Sequence, residues 1–185
     1  MTISRPNPTQ REVFFEDQEI IVSKTDPQGR IAYANDVLQR IAGFTEAELI
    51  GQPHNIIRHP DMPSAVFKLL WDTVMDGREI FAYVKNMARS GDHYWVFAHV
   101  TPSYNQDGDH VGYHSNRRVP GRDAIDKVIP LYESLRETER RADNPRVGMQ
   151  DAFDQLRTLL TGQQTDYSRF VFQLSEETQL SHALR

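Results

Sequence analysis

The sequence predicts an α+β domain: a five-stranded antiparallel sheet with short helices grouped on one face, an N-terminal arm before it and helices after it. Three observations carry that expectation. The runs 80–86, 93–102 and 110–119 are rich in β-branched and aromatic residues and are joined by tight turns, which marks an antiparallel meander. A short hairpin and several brief helical segments precede them, and from residue 122 the apolar spacing becomes helical again.

Taken in order, residues 1–18 form a polar arm that is expected to dock through Val13, Phe14 and Phe15, followed by a domain over 19–121 and a helical extension over 122–185. Ile20, Ile21 and Val22 read as a strand, Asp26-Pro27-Gln28-Gly29 as a turn, and Arg30 to Ala34 as the returning strand. Asn35 offers an N-cap to a helix stopped at Gly43, and Thr45 with Glu48 has the spacing of a capping box. Pro63 and Gly77 bracket a longer helix on which Val66, Phe67, Leu70, Trp71, Val74 and Met75 share one face, so that face is expected to be buried. In the meander, Ile80, Ala82, Val84 and Asn86 are expected to face inward with Tyr94, Val96 and Ala98, leaving an outer face that needs a cover. The extension shows three apolar stripes, with Pro130 inside the first, Gly162 closing the second and Tyr167, Phe170, Val171 and Leu174 marking the third.

Composition narrows the function. With 21 basic against 26 acidic residues the chain carries −5, whereas nucleic-acid and anionic-membrane binders need a basic surface. No stretch approaches the roughly 20 apolar residues of a membrane span, and the start lacks the apolar core of a signal peptide, so a cytoplasmic protein is expected. The absence of cysteine excludes disulfides, thiolate metal sites, cysteine nucleophiles and photochemistry through a cysteinyl adduct. No GxSxG, HExxH or P-loop occurs; the pairs His93/His99 and His110/His114 share strand faces, but strand histidines without nearby carboxylates are usually polar surface.

The densest chemistry lies just before the long helix. His54, Asn55, Arg58, His59 and Asp61 fall within eight positions at the start of a helix whose N–H groups and dipole favour an anion, and Arg58 adds a bidentate donor for phosphate. The competing explanation makes Asn55 and Asp61 simple caps and the histidines surface residues.

The order of elements, with YAN at 33–35 and GFTEAELIGQP at 43–53, resembles a PAS sensor domain. More specifically, GQPHNIIRHPDMP at 51–63 and VKNMARSGDHYWVFAHVTP at 84–102 resemble the FAD-binding PAS domain of bacterial aerotaxis receptors, over about Glu19 to Asp123. That resemblance implies FAD held non-covalently between helices and sheet, a cofactor motif on Arg58, His59 and Asp61, and further pocket positions at His54, Asn35, Trp71 and Asn86. Family members often carry tryptophan near the start of the first meander strand, where this chain has Ile80 and Phe81. It also implies a non-enzymatic redox or oxygen-status sensor. Its output would pass to a methyl-accepting chemotaxis receptor on a separate chain or through a homodimer, with Asn86 answering the ring's oxidation state and the arm or C-terminal helices reading the change. The alternatives are a haem-binding PAS gas sensor with His54 or His59 as axial ligand, and a cofactor-free PAS dimerisation module.

Overall fold

The structure, a computed structural model, describes residues 6–174; the first five residues of the expected arm and the last eleven of the extension lie outside the described residues. Strands β1 (Ile21–Thr25) and β2 (Ile31–Ala34) form the expected hairpin. Asp26 Oδ1 shapes its turn by accepting the N–H groups of Gln28 and Arg30 at 2.9 and 2.8 Å. Helix α1 (Asp36–Ala42) starts on Asn35 and stops at Gly43, which takes the left-handed φ of 71° that side chains resist. Helix α2 (Glu46–Leu49) opens with the capping box, the Thr45 N–H donating to Glu48 at 3.0 Å. A 3-10 turn at His54–Ile57 leads into α3 (Ser64–Met75).

The meander follows as β3 (Ile80–Met87), β4 (His93–Tyr104) and β5 (His110–Arg118), and the five-stranded sheet runs β2-β1-β5-β4-β3, antiparallel throughout. The register pairs Ala82 with Ala98, Val84 with Val96 and Asn86 with Tyr94, so the expected inward set does share a face. Helices α1 to α3 belong to that face.

The outer face carries Phe81, Tyr83, Trp95 and Phe97, and the C-terminal helices cover it. On α4 (Arg122–Arg141), Tyr132 donates its hydroxyl to the Tyr83 carbonyl at 2.7 Å and packs on Trp95. Residues 167–174 are helical and bring Tyr167 to within 3.0 Å of the Tyr132 hydroxyl and Phe172 against Phe81 and Phe97. Helix α5 (Pro145–Gly162), capped by Asn144, packs instead on α3, so the extension wraps the β3 edge and touches both sides of the sheet layer. Gly148 permits this: a Cβ there would stand 2.4 Å from the Glu139 carbonyl of α4.

Two expectations are corrected. The arm runs beside residues 91–93, with the His93 N–H donating to Arg11 O at 3.0 Å and Arg11 and Thr9 both binding the buried Asp92 carboxylate, which their hydrogen bonds hold far below its ordinary pKa. Only Phe15 of its three apolar residues is buried, while Phe14 is 69% exposed, because backbone pairing and an ion pair do the docking. Met75, expected on the buried face of α3, is also exposed; it lies in the last turn, beyond the neighbours that bury Leu70 and Val74.

Candidate cofactor site

A cavity of about 570 Å³ lies between α3 and the inner face of the sheet, within the ordinary size range of small-molecule sites. Helix α3 supplies Phe67, Leu70 and Trp71, strands β3 and β4 supply Val84, Asn86, Ala98 and Val100, and β5 with β1 supplies Tyr113, Ser115, Arg117, Ser23 and Thr25. The segment before α3 contributes His54, Asn55 and Arg58, and α5 contributes Met149. The α3 ring Trp71 stands edge-on to Tyr113 at 5.2 Å, and the hairpin turn crowds its far side: a Cβ on Gly29, at φ 77°, would meet it at 3.1 Å.

The interior end is polar and charged. Arg117 is 3% exposed, and its Nη2 donates to Ser23 Oγ and to His54 Nε2, both at 2.6 Å. A guanidinium can only donate, so His54 Nε2 is the unprotonated acceptor and the ring proton sits on Nδ1. Burial first and the Arg117 charge second push His54 down to about 3, so it is neutral at physiological pH. Burial also pushes Arg117 down to about 10. Arg117 Nη1, Asn86 Nδ2 and Ser115 Oγ have no hydrogen-bond partner among the described residues, although an unmet buried donor costs about 1–3 kcal/mol and a charged one more. All three atoms belong to residues that line the cavity, so its sheet end is polar and its unmet groups suit a ligand with hydrogen-bonding atoms.

Four of the seven expected site residues meet here: His54, Arg58, Trp71 and Asn86. The Arg58 Nη2 also braces the loop, donating to the Met62 carbonyl at 2.8 Å and Ser64 Oγ at 3.1 Å, with its plane 4.3 Å from the Phe67 ring. The other three lie elsewhere. Asn35 ties β1 to α1, its Oδ1 accepting from Val22 and Leu38 and its Nδ2 donating to Ile20 O. His59 is buried outside the cavity lining, its Nδ1 accepting the Asp61 N–H at 3.1 Å and its ring edge-on to His93. Asp61 is largely exposed and bonds Lys85 at 3.0 Å on a second, more open cleft. The reason is a bridge between distant parts of the chain: Arg58 pairs with Asn86 in extended backbone, so its neighbour His59 turns the opposite way across the β3 edge.

The N-terminus of α3, expected to receive an anionic ligand, meets a carboxylate of the protein instead: the Ala65 N–H donates to Glu139 Oε1 at 2.9 Å, and Arg136 holds the other oxygen. Sequence reading missed Arg117, Ser115, Ser23 and Met149. Strand parity with Tyr113 was the available signal for the first two, but choosing between Arg117 and Arg118 needs the register. Among the described residues no three His, Asp or Glu side chains converge as metal ligands. His99 instead pairs with Glu79 and His114 with Asn116.

Residues 31–116 match the PAS fold family. The chain is 42% identical to the aerotaxis receptor of Escherichia coli K12 over 132 residues, which is 71% of this chain and 26% of that receptor. It is 27% identical to the nitrogen fixation regulatory protein of Klebsiella pneumoniae over 56% of this chain and 21% of that protein. The chain therefore spans about a quarter or less of the length of these two relatives. Among solved structures, the dark structure of the blue-light photoreceptor Aureochrome1 LOV superposes with a TM-score of 0.52 at 18% identity, covering 61% of this chain and 83% of that one. A structure described as a flavin-analogue study of the light-oxygen-voltage domain mechanism gives 0.53 at 16%, over 62% and 86%. Sheet order, helix placement and these matches agree: residues 31–116 form a PAS fold, and the chain is similar in sequence to an aerotaxis receptor.

Proposed function

We propose that this chain is a cytoplasmic, FAD-binding PAS redox or oxygen-status sensor that signals to a chemotaxis transducer, either a methyl-accepting receptor on a separate chain or a second copy of itself. The observation that carries the reading is the cavity between α3 and the sheet, lined by apolar side chains together with Asn86, Ser115 and Arg117, each of which has a buried polar atom without a partner among the described residues. Similarity to an aerotaxis receptor makes a flavin the ligand that best suits it. When bound, FAD supplies reversible electron-transfer chemistry. Trp71, Phe67 and Leu70 exclude water from the ring, Arg58 holds the mouth of the cavity, and Asn86 presents a donor or an acceptor to the polar edge.

The readout has a short path. Asn86 and Val84 line the cavity from one face of β3, while Tyr83, next to Val84 on the same strand, accepts the Tyr132 hydroxyl of α4 with its carbonyl. Met149 of α5 lines the cavity directly. A change in what Asn86 donates or accepts is thereby felt by the C-terminal helices, the element we assign to output. A haem ligand finds less support, because the His54 Nε2 lone pair is taken by Arg117 and His59 lies outside the cavity lining. The visible spectrum of the purified, flavin-supplemented protein tests the reading: paired flavin bands that bleach on reduction are expected. A colourless protein, or a Soret band, overturns it; a colourless protein that still binds its receptor identifies a dimerisation or docking module instead.

A further inference from the structure

The contact between Trp71 and Tyr113 is the inner end of a run of rings that leads from the cavity to the surface. Trp71 of α3 meets Tyr113 of β5 at 5.2 Å between centroids, Tyr113 meets His110 at 4.7 Å, and His110 meets its cross-strand partner Tyr104 of β4 at 5.8 Å. Trp71 and Tyr113 line the cavity. Tyr104, at the other end, is 53% exposed, beside the turn that joins β4 to β5. Edge-on aromatic packing explains the buried end; the outer end is set apart by its access to water.

We propose that these four rings carry an electron from the surface to the cavity when blue light excites the bound flavin, so that Tyr104 is the electron port of the domain. This rests on the flavin reading above and adds a light-driven reaction to it. A chain without cysteine forms no thiol adduct with an excited flavin. Tryptophan and tyrosine are then readily oxidised neighbours, and an excited flavin is a strong one-electron oxidant. Trp71 or Tyr113 gives one electron to it, and the vacancy is filled from the next ring outward, with His110 bridging the two tyrosines. Tunnelling weakens exponentially with distance, so short steps between touching rings outpace one long jump. Tyr113 is a poor final holder of the vacancy, because burial resists the loss of its hydroxyl proton. Tyr104 is a good one: an oxidised phenol is a strong acid, and in water it releases that proton and keeps the neutral radical. The exchange balances, with one electron gained by the flavin and one electron and one proton lost by Tyr104. A thiol in solution then returns a hydrogen atom to Tyr104, which leaves the flavin reduced.

The test illuminates the FAD-supplemented protein in the absence of oxygen, without and with an added thiol, and reads the chain by electron paramagnetic resonance and the flavin by absorbance. Wild-type protein is expected to give a tyrosyl radical, identified by the narrowing that ring-deuterated tyrosine brings, and with thiol a bleaching that persists in the dark. Tyr104→Phe keeps the ring contact and removes the ionisable hydroxyl. It is expected to take up FAD as the wild type does, and to lose both the tyrosyl signal and the persistent bleaching, because the electron returns to Trp71 or Tyr113. Tyr113→Phe interrupts the path midway, is expected to lose both as well, and serves if the Tyr104 variant does not fold. Survival of either signal in Tyr104→Phe overturns the inference and leaves the flavin reading standing, as does a flavin-loaded wild type that shows neither. If wild-type protein takes up no flavin, both fall together.

Discussion

The Glu139 carboxylate accepts the Ala65 N–H at 2.9 Å, joining the end of α4 to the first turn of α3 across 74 residues of sequence. Arg136 orients the same carboxylate through its second oxygen. One side chain of the extension thus does for α3 what an N-cap residue would do, since Pro63 has no side-chain acceptor to offer.

Glu139→Ala leaves that N–H buried without its acceptor. A loss of about 1–3 kcal/mol is expected in urea unfolding, with faster amide exchange in α4 and α5 than in β4 and β5. Unchanged exchange in α5 would show that the latch is dispensable.

Gly148→Ala drives a methyl into the Glu139 backbone at the α4–α5 crossing. Overpacking of this kind costs about 1–3 kcal/mol, and a lowered thermal midpoint is the readout. Gly162→Ala, where a Cβ meets nothing within 4 Å, is the control.

Stability should depend on pH through His54. Its pKa is about 3 when folded and about 6.5 when unfolded, so between those values the unfolded chain holds a proton that the folded chain lacks. Stability is therefore full above pH 6.5 and falls by about 1.4 kcal/mol per pH unit as the pH drops toward 3. His54→Gln, which can still accept from Arg117, removes this component; equal slopes for the two ligand-free proteins between pH 6 and 4.5 would contradict the assignment.

Asn35 belongs to the sequence motif but caps α1 and ties it to β1. Asn35→Ala is expected to cost about 1–2 kcal/mol, whereas flavin affinity of the folded fraction stays within about twofold, less than half a kcal/mol. Weaker binding at full stability would return Asn35 to the site.

Much of the fold was legible because its signals are local. Asn35, Gly43 and the Thr45/Glu48 pair mark helix ends through hydrogen bonds made within a few residues, and the strand alternation of 80–86 and 94–98 declares an inward face without any partner. The cluster at 54–61 also announced itself by density. Its division did not, because whether Arg58 or His59 faces the cavity depends on a bridge to Asn86 formed by distant chain.

By itself, then, the sequence determined the α+β order, the cavity-forming helix and sheet, and the presence of His54, Arg58, Trp71 and Asn86 at one site. Only the tertiary structure decided that Arg117 supplies the buried charge, that His59 and Asp61 face away, and that Glu139 occupies the end of α3. The physical reason is that helix caps and face alternation are properties of neighbouring residues, while register across β5 and the path of α4 around the β3 edge are set by contacts between residues far apart in the chain.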